Sequence, residues 1–267
     1  MLYYYRIAEL TLKSHSKLHS FGTFACEPAR ADVILEEAEE TPLPGKEQVS
    51  GSIVHCRQPD GWFFHPIGTE ETGLFVNDDY SHLRYLDKEQ RVIAGIGEWF
   101  VRIALECWLA QHGYVSLHAA AIQIDEHAIA FTGPSGIGKS TRADMMIRNL
   151  GAKLINGDRP LIHVKDQMLY GVPWDGKEQC FQNVHYPLKA ICEVRRSSSV
   201  FIQDMSITER RNLLVQQCFI PMWDTETALA QITNISRMSI QLPIFRAYSG
   251  PNAEDIQALY KALKYHE

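Results

Sequence analysis

The chain has 267 residues, 45% of them apolar, which is enough to bury the core of one large domain or of two modest ones. Its formal net charge of −6 gives no basic excess, which argues against nucleic acid as a partner. Residues 1–14 lack the features of a secretory signal, and the most apolar segment, 92–110, is interrupted by Glu98, Arg102 and Glu106. We therefore expect a cytoplasmic protein with no membrane-spanning segment and no membrane partner.

The N-terminal part of the sequence predicts short β-strands. Aromatic and β-branched runs, separated by Pro, Gly and acidic turns, occur at 2–12, 31–35, 61–66 and 73–77. The acidic stretch 36–48 is typical of a solvated loop, and the pair Asp78-Asp79 is typical of a turn or a helix cap. We predict a β-rich N-terminal domain over residues 1–88.

The remainder of the sequence alternates between helical and strand patterns. Apolar residues recur at helical spacing over 89–112, which predicts a helix that joins the two parts. Apolar runs at 115–124 and 127–132, split by Asp125-Glu126, predict two strands joined by a tight turn. Further predicted elements are a helix at 139–150, strands at 153–156, 160–164 and 190–194, and a last helix at 253–263. Together they predict an α/β domain around a central sheet over residues 89–267.

The cysteines carry no recognisable metal or disulfide pattern. None of them forms a CxxC pair, and none lies in a His-rich segment. We interpret them as free thiols that are mostly buried. They are Cys26, Cys56, Cys107, Cys180, Cys192 and Cys218.

Residues 133–140 read GPSGIGKS and match the phosphate-binding pattern GxxxxGK[ST] between a predicted strand and a predicted helix. Glycines in this pattern let backbone N–H groups turn toward phosphate oxygens without interference from a side chain. Lys139 supplies positive charge to the β- and γ-phosphates, and Ser140 at the helix start can ligate Mg²⁺. The residues expected to contact the nucleotide are Gly133, Pro134, Ser135, Gly136, Ile137, Gly138, Lys139, Ser140 and Thr141.

Three residues outside the loop are candidates for the same site. Asp158, in the sequence LINGDRP, is the strongest candidate for a carboxylate that joins Ser140 at magnesium; the alternative is a turn aspartate bonded to its own backbone. Arg159 has two interpretations, a phosphate contact and an ion pair with an acid. His118, in a predicted strand among small residues, is by itself typical of a structural histidine.

Taken together, His118, the loop GPSGIGKS and the pair Asp158-Arg159 resemble the HPr kinase/phosphorylase family of bacterial serine kinases. The core of that family is also similar to ATP-dependent phosphoenolpyruvate carboxykinase. The resemblance covers about 117–164, with weaker likeness at 171–178 and 188–196. It implies an α/β fold with a P-loop core and a central mixed sheet, ATP and Mg²⁺ as cofactors, and catalytic roles for His118, Lys139 and Asp158.

Within this superfamily the chain resembles the HPr-kinase-related enzymes of peptide biosynthesis, in particular the lasso-peptide precursor kinases, more than it resembles the HPr kinases themselves. The likeness lies in its size, its unusual N-terminal part and the stretch PWDG. It implies phosphorylation of the C-terminal serine of a ribosomally made precursor, and therefore a peptide or protein partner with an acceptor serine. Homo-oligomerisation stays open.

Three features depart from the HPr kinase pattern. The family has two adjacent aspartates before the arginine, whereas Gly157 occupies the first position here. Thr141 replaces the glutamate that commonly follows GKS in the family. The family's C-terminal sequence signature for binding HPr is not found in this chain. These differences argue against HPr as the substrate and against the reverse phosphorylase reaction.

With one aspartate at the site, the general base has two candidates. Asp158 can orient or deprotonate the acceptor serine, but if it ligates the metal, His118 is the leading base. Lys177 has two interpretations, a contact with phosphate or substrate and a lysine in a turn over a buried Trp. Arg195 and Arg196 also have two interpretations, neutralisation of phosphate and a solvated charged turn after the strand 190–194, and we favour the turn.

Two other functions are compatible with the same loop. One is a P-loop kinase that phosphorylates a small metabolite, and the other is a non-enzymatic regulator that only binds the nucleotide. Turnover of ATP distinguishes the regulator from a kinase, and the identity of the acceptor distinguishes the two kinases.

Overall fold

The computed structural model describes residues 1–50, 53–68, 71–87, 96–174 and 181–266. It is an α/β protein with mixed sheets, as the sequence predicts. The chain divides into two units, one comprising Met1–His112 with Pro221–Ala228 and the other Gly113–Ile220 with Leu229–Glu267. Among the described residues no helix combines the length and the apolarity that a bilayer crossing requires.

The first unit contains one sheet of eight strands and a helix. The strands, in chain order, are β1 (Tyr3–Ile7), β2 (Leu10–Ser14), β3 (Val33–Glu37), β4 (Gln48–Ser50), β5 (Ile53–Gln58), β6 (Gly61–Pro66), β7 (Thr72–Asn77) and β8 (His82–Asp87). Their order across the sheet is β1-β2-β3-β8-β7-β6-β5-β4. Helix α1 (Ile96–Gln111) packs against β6, β7 and β8.

Two predictions for this unit need correction. The segment 2–12 is a hairpin rather than one strand, because the chain reverses at Ala8, whose φ of 52° lies in the left-handed region. Helix α1 belongs with the N-terminal sheet, so the division falls after His112 rather than after residue 88. Its buried face packs on that sheet, a contact between distant segments that helical spacing alone does not specify. The predicted start of this helix, 89–95, lies outside the described residues.

The second unit is built around a mixed sheet that includes a parallel core. Its strands are β9 (Tyr114–Ser116), β10 (Ala119–Ile124), β11 (His127–Thr132), β12 (Lys153–Asn156), β13 (Leu161–His163), β14 (Met168–Tyr170), β15 (His185–Arg196), β16 (Phe201–Asp204) and β17 (Ile244–Ser249). Strands β12-β10-β11-β15-β14-β13-β9 are hydrogen-bonded in that order, and β17 lies between β15 and β16. Strands β11, β15 and β17 run parallel, so their carboxyl ends lie at one edge of the sheet.

Helices cover both faces of this sheet. They are α2 (Lys139–Leu150), α3 (Ile207–Gln217), α4 (Thr225–Gln241) and α5 (Ala253–Tyr265). On one face Met146 of α2 and Leu259 of α5 pack with Phe131 of β11. On the other face Leu214 of α3 and Met238 of α4 pack with Ile191 of β15. The burial of these side chains on both faces fixes the sheet edge from which the loop 133–138 emerges.

Several predicted elements match their observed bounds. The strands at 61–66, 127–132 and 153–156 and the helix at 139–150 agree at both ends, because turn or capping residues flank them directly. The predicted strand 190–194 is the second half of the longer β15. Of the cysteines, the five described are free, and Cys56, Cys107 and Cys192 are buried; Cys180 lies outside the described residues.

Candidate functional site

The loop 133–138 connects the end of β11 to the start of α2 and has the backbone that an anion site requires. Gly133, Gly136 and Gly138 have φ values of 135°, 75° and 110°, in the left-handed region that favours glycine. Gly138 caps α2 and offers no side chain to the N–H groups of the first helical turn. The helix N-terminus is therefore open to an anion, with its partial positive charge directed at the loop.

Lys139 lies under this loop. Its side chain is 9% exposed, and Nζ donates hydrogen bonds to Gly133 O at 3.0 Å and to Pro134 O at 3.3 Å. Burial lowers the pKa of Lys139, and the negative charge of Asp158 opposes this shift. The ammonium group is thus held at the loop by carbonyl oxygens and lies within electrostatic range of a carboxylate.

Two arginines tie the loop to the ends of the neighbouring strands. Arg196, at the end of β15, donates from Nη2 to Gly136 O at 2.7 Å and from Nε to Ile137 O at 3.3 Å. Arg142, in the first turns of α2, donates from Nη2 to Ser249 O at 2.7 Å, where β17 ends. The loop conformation therefore depends on contacts with two strands that are distant in the sequence.

Sequence reasoning did not assign either arginine to the support of the loop. Arg196 was interpreted as part of a solvated turn; it is exposed, but its guanidinium binds loop carbonyls, whereas the adjacent Arg195 pairs with Glu193 at 2.6 Å. Arg142 is 3% exposed, and burial, followed by the charge of Arg196, lowers its pKa. The sequence offered one signal for Arg142: it lies two positions after Ser140, on a helix that must pack against the sheet.

The turn that contains Asp158 is organised by Asn156, the last residue of β12. Asn156 is fully buried, and its Oδ1 accepts from the backbone N–H groups of Asp158 at 3.0 Å and Arg159 at 2.7 Å. Its Nδ2 donates to Val172 O at 3.3 Å and to Trp174 O at 3.1 Å. The side chain of Asn156 thus fixes the backbone from which Asp158 projects.

His118 and Asp158, which are 40 positions apart in the sequence, lie next to each other at the turn that follows Asn156. The Nε2 atom of His118 lies 3.3 Å from Oδ1 of Asp158, and both side chains are more than a quarter exposed. The backbone joins them as well, because Ala119 N donates to Asp158 O at 2.8 Å. Thr132, the last residue of β11, donates from its hydroxyl to His118 O at 2.8 Å. These bonds couple the His118–Asp158 pair to the start of the loop.

The predicted position of His118 requires a small correction. The predicted strand 115–124 is broken at Leu117 and His118, because β9 pairs with β13 while β10 pairs with β11 and β12. His118 N instead donates to Gln217 O at the end of α3, at 2.8 Å. The histidine therefore lies in a break between strands, where its ring is half-buried rather than enclosed in the sheet.

Burial and the surrounding charges together determine the protonation state of His118. Burial lowers the pKa of His118, the positive charges of Lys139 and Arg159 lower it further, and Asp158 opposes them. The imidazole is therefore neutral near pH 7. Since Nε2 faces a carboxylate oxygen, we assign the ring proton to Nε2.

Arg159 places a second cation beside this pair. Its guanidinium forms no hydrogen bond or ion pair with any described residue, and its charge acts on His118 and on the thiol of Cys218. The side chain is half-buried. Neither interpretation of Arg159 from the sequence is resolved by these contacts.

Several of the residues expected to contact the nucleotide are exposed, and one of them is the candidate metal ligand Ser140. Pro134, Ser135, Ser140 and Thr141 are exposed, and Ser140 lies in the first turn of α2. In the described part of the chain no three His, Cys, Asp or Glu residues cluster as a metal cage. Mg²⁺ that accompanies a nucleotide needs only one or two protein oxygens, and the Ser140 hydroxyl and the Asp158 carboxylate suit that role. Lys177 lies outside the described residues.

No protein-family model and no curated protein matches this chain. The function must therefore be argued from the loop and from the side chains assembled around it.

Replacement of Asn156 by Ala is expected to lower the free energy of unfolding by about 2–4 kcal/mol, because four hydrogen bonds, two of them buried and two part-buried, lose one partner. Urea unfolding of the purified variant measures this change. Asn149→Ala is the matched control, since exposed Asn149 makes a single side-chain bond to Met145 O. Equal stabilities of the two variants would contradict the organising role of Asn156.

Replacement of Arg196 by Gln is expected to weaken ATP binding by about tenfold, because the loop loses two hydrogen bonds that hold its carbonyls. Isothermal titration calorimetry with ATP and Mg²⁺ measures the dissociation constant. Arg195→Gln removes the same charge one residue earlier, and we expect a change of less than about twofold. If both variants weaken binding equally, the effect is that of net charge and not of loop support.

Proposed function

We propose that the protein is an ATP- and Mg²⁺-dependent serine kinase of the HPr kinase-like type. The observation that supports this proposal most directly is the His118–Asp158 pair, 3.3 Å apart and within electrostatic range of Lys139 at the glycine loop. Nucleotide binding alone requires only the loop. A carboxylate and a neutral imidazole beside the phosphate-binding lysine are the groups that a phosphoryl transfer to a hydroxyl requires.

The proposed reaction begins with an acceptor hydroxyl placed between Asp158 and the γ-phosphate. The hydroxyl oxygen bonds to the γ-phosphorus while the bond from this phosphorus to the β,γ-bridging oxygen breaks, and ADP leaves. Backbone N–H groups of the loop and the ammonium of Lys139 compensate the phosphate charge. Mg²⁺, when bound, neutralises charge on the β- and γ-phosphates.

Asp158 is the proposed general base. Its Oδ1 atom faces Nε2–H of His118, which leaves Oδ2 to take the proton of the acceptor hydroxyl. His118 is then a positioning residue that orients the carboxylate and stabilises its charge. Arg159, which has no acidic partner among the described residues, supplies positive charge to the phosphoryl group in transit.

The proposed acceptor is the C-terminal serine of a ribosomally made precursor peptide. This substrate rests on the sequence resemblance to the lasso-peptide precursor kinases. Gly157, where HPr kinases have an aspartate, leaves one carboxylate at the site and weighs against HPr as substrate.

Incubation of serine-ending peptides with the protein, ATP and Mg²⁺ is expected to add roughly 80 Da, the mass of one phosphoryl group, to each substrate peptide. Mass spectrometry detects the product. Lys139→Ala and Asp158→Asn should abolish it, and a peptide ending in alanine instead of serine is the matched substrate control. Demonstrated ATP binding without modification of any serine peptide would overturn the peptide-kinase assignment.

The roles of Asp158 and His118 are expected to separate in the pH dependence of kcat/KM. Asp158→Asn should reduce kcat/KM by about 10²–10⁴, the usual effect of removing a general base. His118→Gln keeps an N–H donor toward Asp158, so we expect it to retain a larger share of the activity than His118→Ala. In the parent protein kcat/KM should fall as the pH drops through the pKa of His118, which burial and the charges of Lys139 and Arg159 hold below its ordinary value, because an imidazolium makes Asp158 a weaker base. This fall should be absent in His118→Gln. A larger loss in His118→Gln than in Asp158→Asn would instead make His118 the base.

A further inference from the structure

A pocket of about 540 Å³ opens beside the phosphate loop, on the side of the first turns of α2. Its walls come from α2, from the end of β15 and from the end of β17. Residues that matter here are Thr141, Arg142, Arg196, Ser198, Ser249 and Pro251. The volume lies within the range of about 300–1,000 Å³ that is usual for small-molecule sites.

The pocket and the proposed catalytic cluster involve different residues around the loop. Gly138 and Thr141 line the pocket, whereas His118, Lys139 and Asp158 are not among its lining residues. If the γ-phosphate lies at the cluster, a phosphate chain that follows the loop toward Thr141 brings its other end to this pocket. The group attached at that end of a nucleoside triphosphate is the nucleoside.

Two buried polar atoms in the pocket wall have no partner in the described part of the chain. They are Nε of Arg142 and Oγ of Ser249, on residues that are 3% and 0% exposed. A buried polar atom that makes no hydrogen bond costs about 1–3 kcal/mol, so a partner such as water, an ion or a ligand at this place would be stabilising. An N–H donor and a hydroxyl are suitable partners for the hydroxyls of a sugar.

The charge and polarity of the pocket suit a nucleoside attached to a phosphate. The guanidinium of Arg142 lies near that of Arg196, and this like charge contributes to its lowered pKa. An anion beside the two groups relieves their repulsion, and the α-phosphate is such an anion. Pro251 offers an apolar surface to a base at the outer rim, where Ser198 is exposed.

We propose that this pocket binds the nucleoside of the phosphate donor. In the bound state Arg142 and Ser249 contact the ribose, and Arg196 lies beside the α-phosphate. The inference rests on the proposed function, since it requires that the loop binds a nucleoside triphosphate.

Ser198→Trp tests the inference because an indole at this exposed rim position fills the pocket without touching the loop hydrogen bonds. The matched control is Ser199→Trp, at the next exposed residue, which does not line the pocket. Calorimetry measures the dissociation constants of ATP and of inorganic tripolyphosphate, which has the phosphate chain but no nucleoside. We expect Ser198→Trp to weaken ATP binding at least tenfold and to change tripolyphosphate binding less than twofold, and Ser199→Trp to change neither.

Four results would overturn the proposal. ATP binding by Ser198→Trp that matches the parent protein would show that the pocket is not used. Equal weakening of ATP and tripolyphosphate would show that this rim acts on phosphate binding at the loop and not on the nucleoside. If tripolyphosphate binds to the parent as tightly as ATP, the nucleoside contributes nothing to the affinity, although phosphate binding at the loop would still be supported. Failure of the parent to bind either ligand would overturn the proposed function itself, and the inference with it.

Discussion

The parallel pairing of β11, β15 and β17 is the constraint on which the site depends. Thr132, the last residue of β11, pairs with Glu193 of β15, and β15 continues for three more residues to Arg196. Arg196 in turn pairs with Ser249, the last residue of β17. Two strand ends therefore flank the loop that follows Thr132. A shift in this register would move Arg196 and Ser249 away from the loop and the first turn of α2.

Burial of cations around the loop gives the site its preference for anions. Lys139 and Arg142 are both removed from water, and burial lowers the pKa of each, which is the sign of an uncompensated desolvation cost. Backbone carbonyl oxygens accept the hydrogen bonds of both groups. Phosphate oxygens form stronger, charge-assisted bonds than neutral carbonyls. Replacement of the carbonyl oxygens around the Lys139 ammonium by phosphate oxygens would therefore stabilise the proposed complex with a nucleotide.

The sequence was sufficient to predict the local part of this arrangement. The strand at 127–132, the loop glycines and the helix at 139–150 follow from spacing and capping rules that act over a few residues. Their relation to distant residues does not follow from such rules. Arg196 reaches the loop only through the pairing of β15 with β11, and helix α1 joins the N-terminal sheet only through packing. Both errors come from contacts between segments that no local pattern encodes.

His118 and Asp158 show the same limit in the proposed catalytic cluster. Each was a candidate on its own, but their separation of 3.3 Å depends on a break between β9 and β10 and on a backbone bond from Ala119 to Asp158. An unbroken strand, as predicted, would have directed alternate side chains to opposite faces and left the orientation of His118 unspecified.

The single carboxylate at this site has a consequence for the proposed mechanism. Gly157 precedes Asp158, and the side chain of Asn156 occupies the inside of the turn by binding the N–H groups of Asp158 and Arg159. One oxygen of Asp158 faces His118, so a single oxygen remains for the acceptor hydroxyl or for Mg²⁺. If that oxygen takes the proton, the Ser140 hydroxyl and the phosphates themselves must supply most of the metal ligands. Under the proposed mechanism such a site would bind Mg²⁺ together with the nucleotide rather than before it, because the phosphates would then provide the charge that a second aspartate would supply.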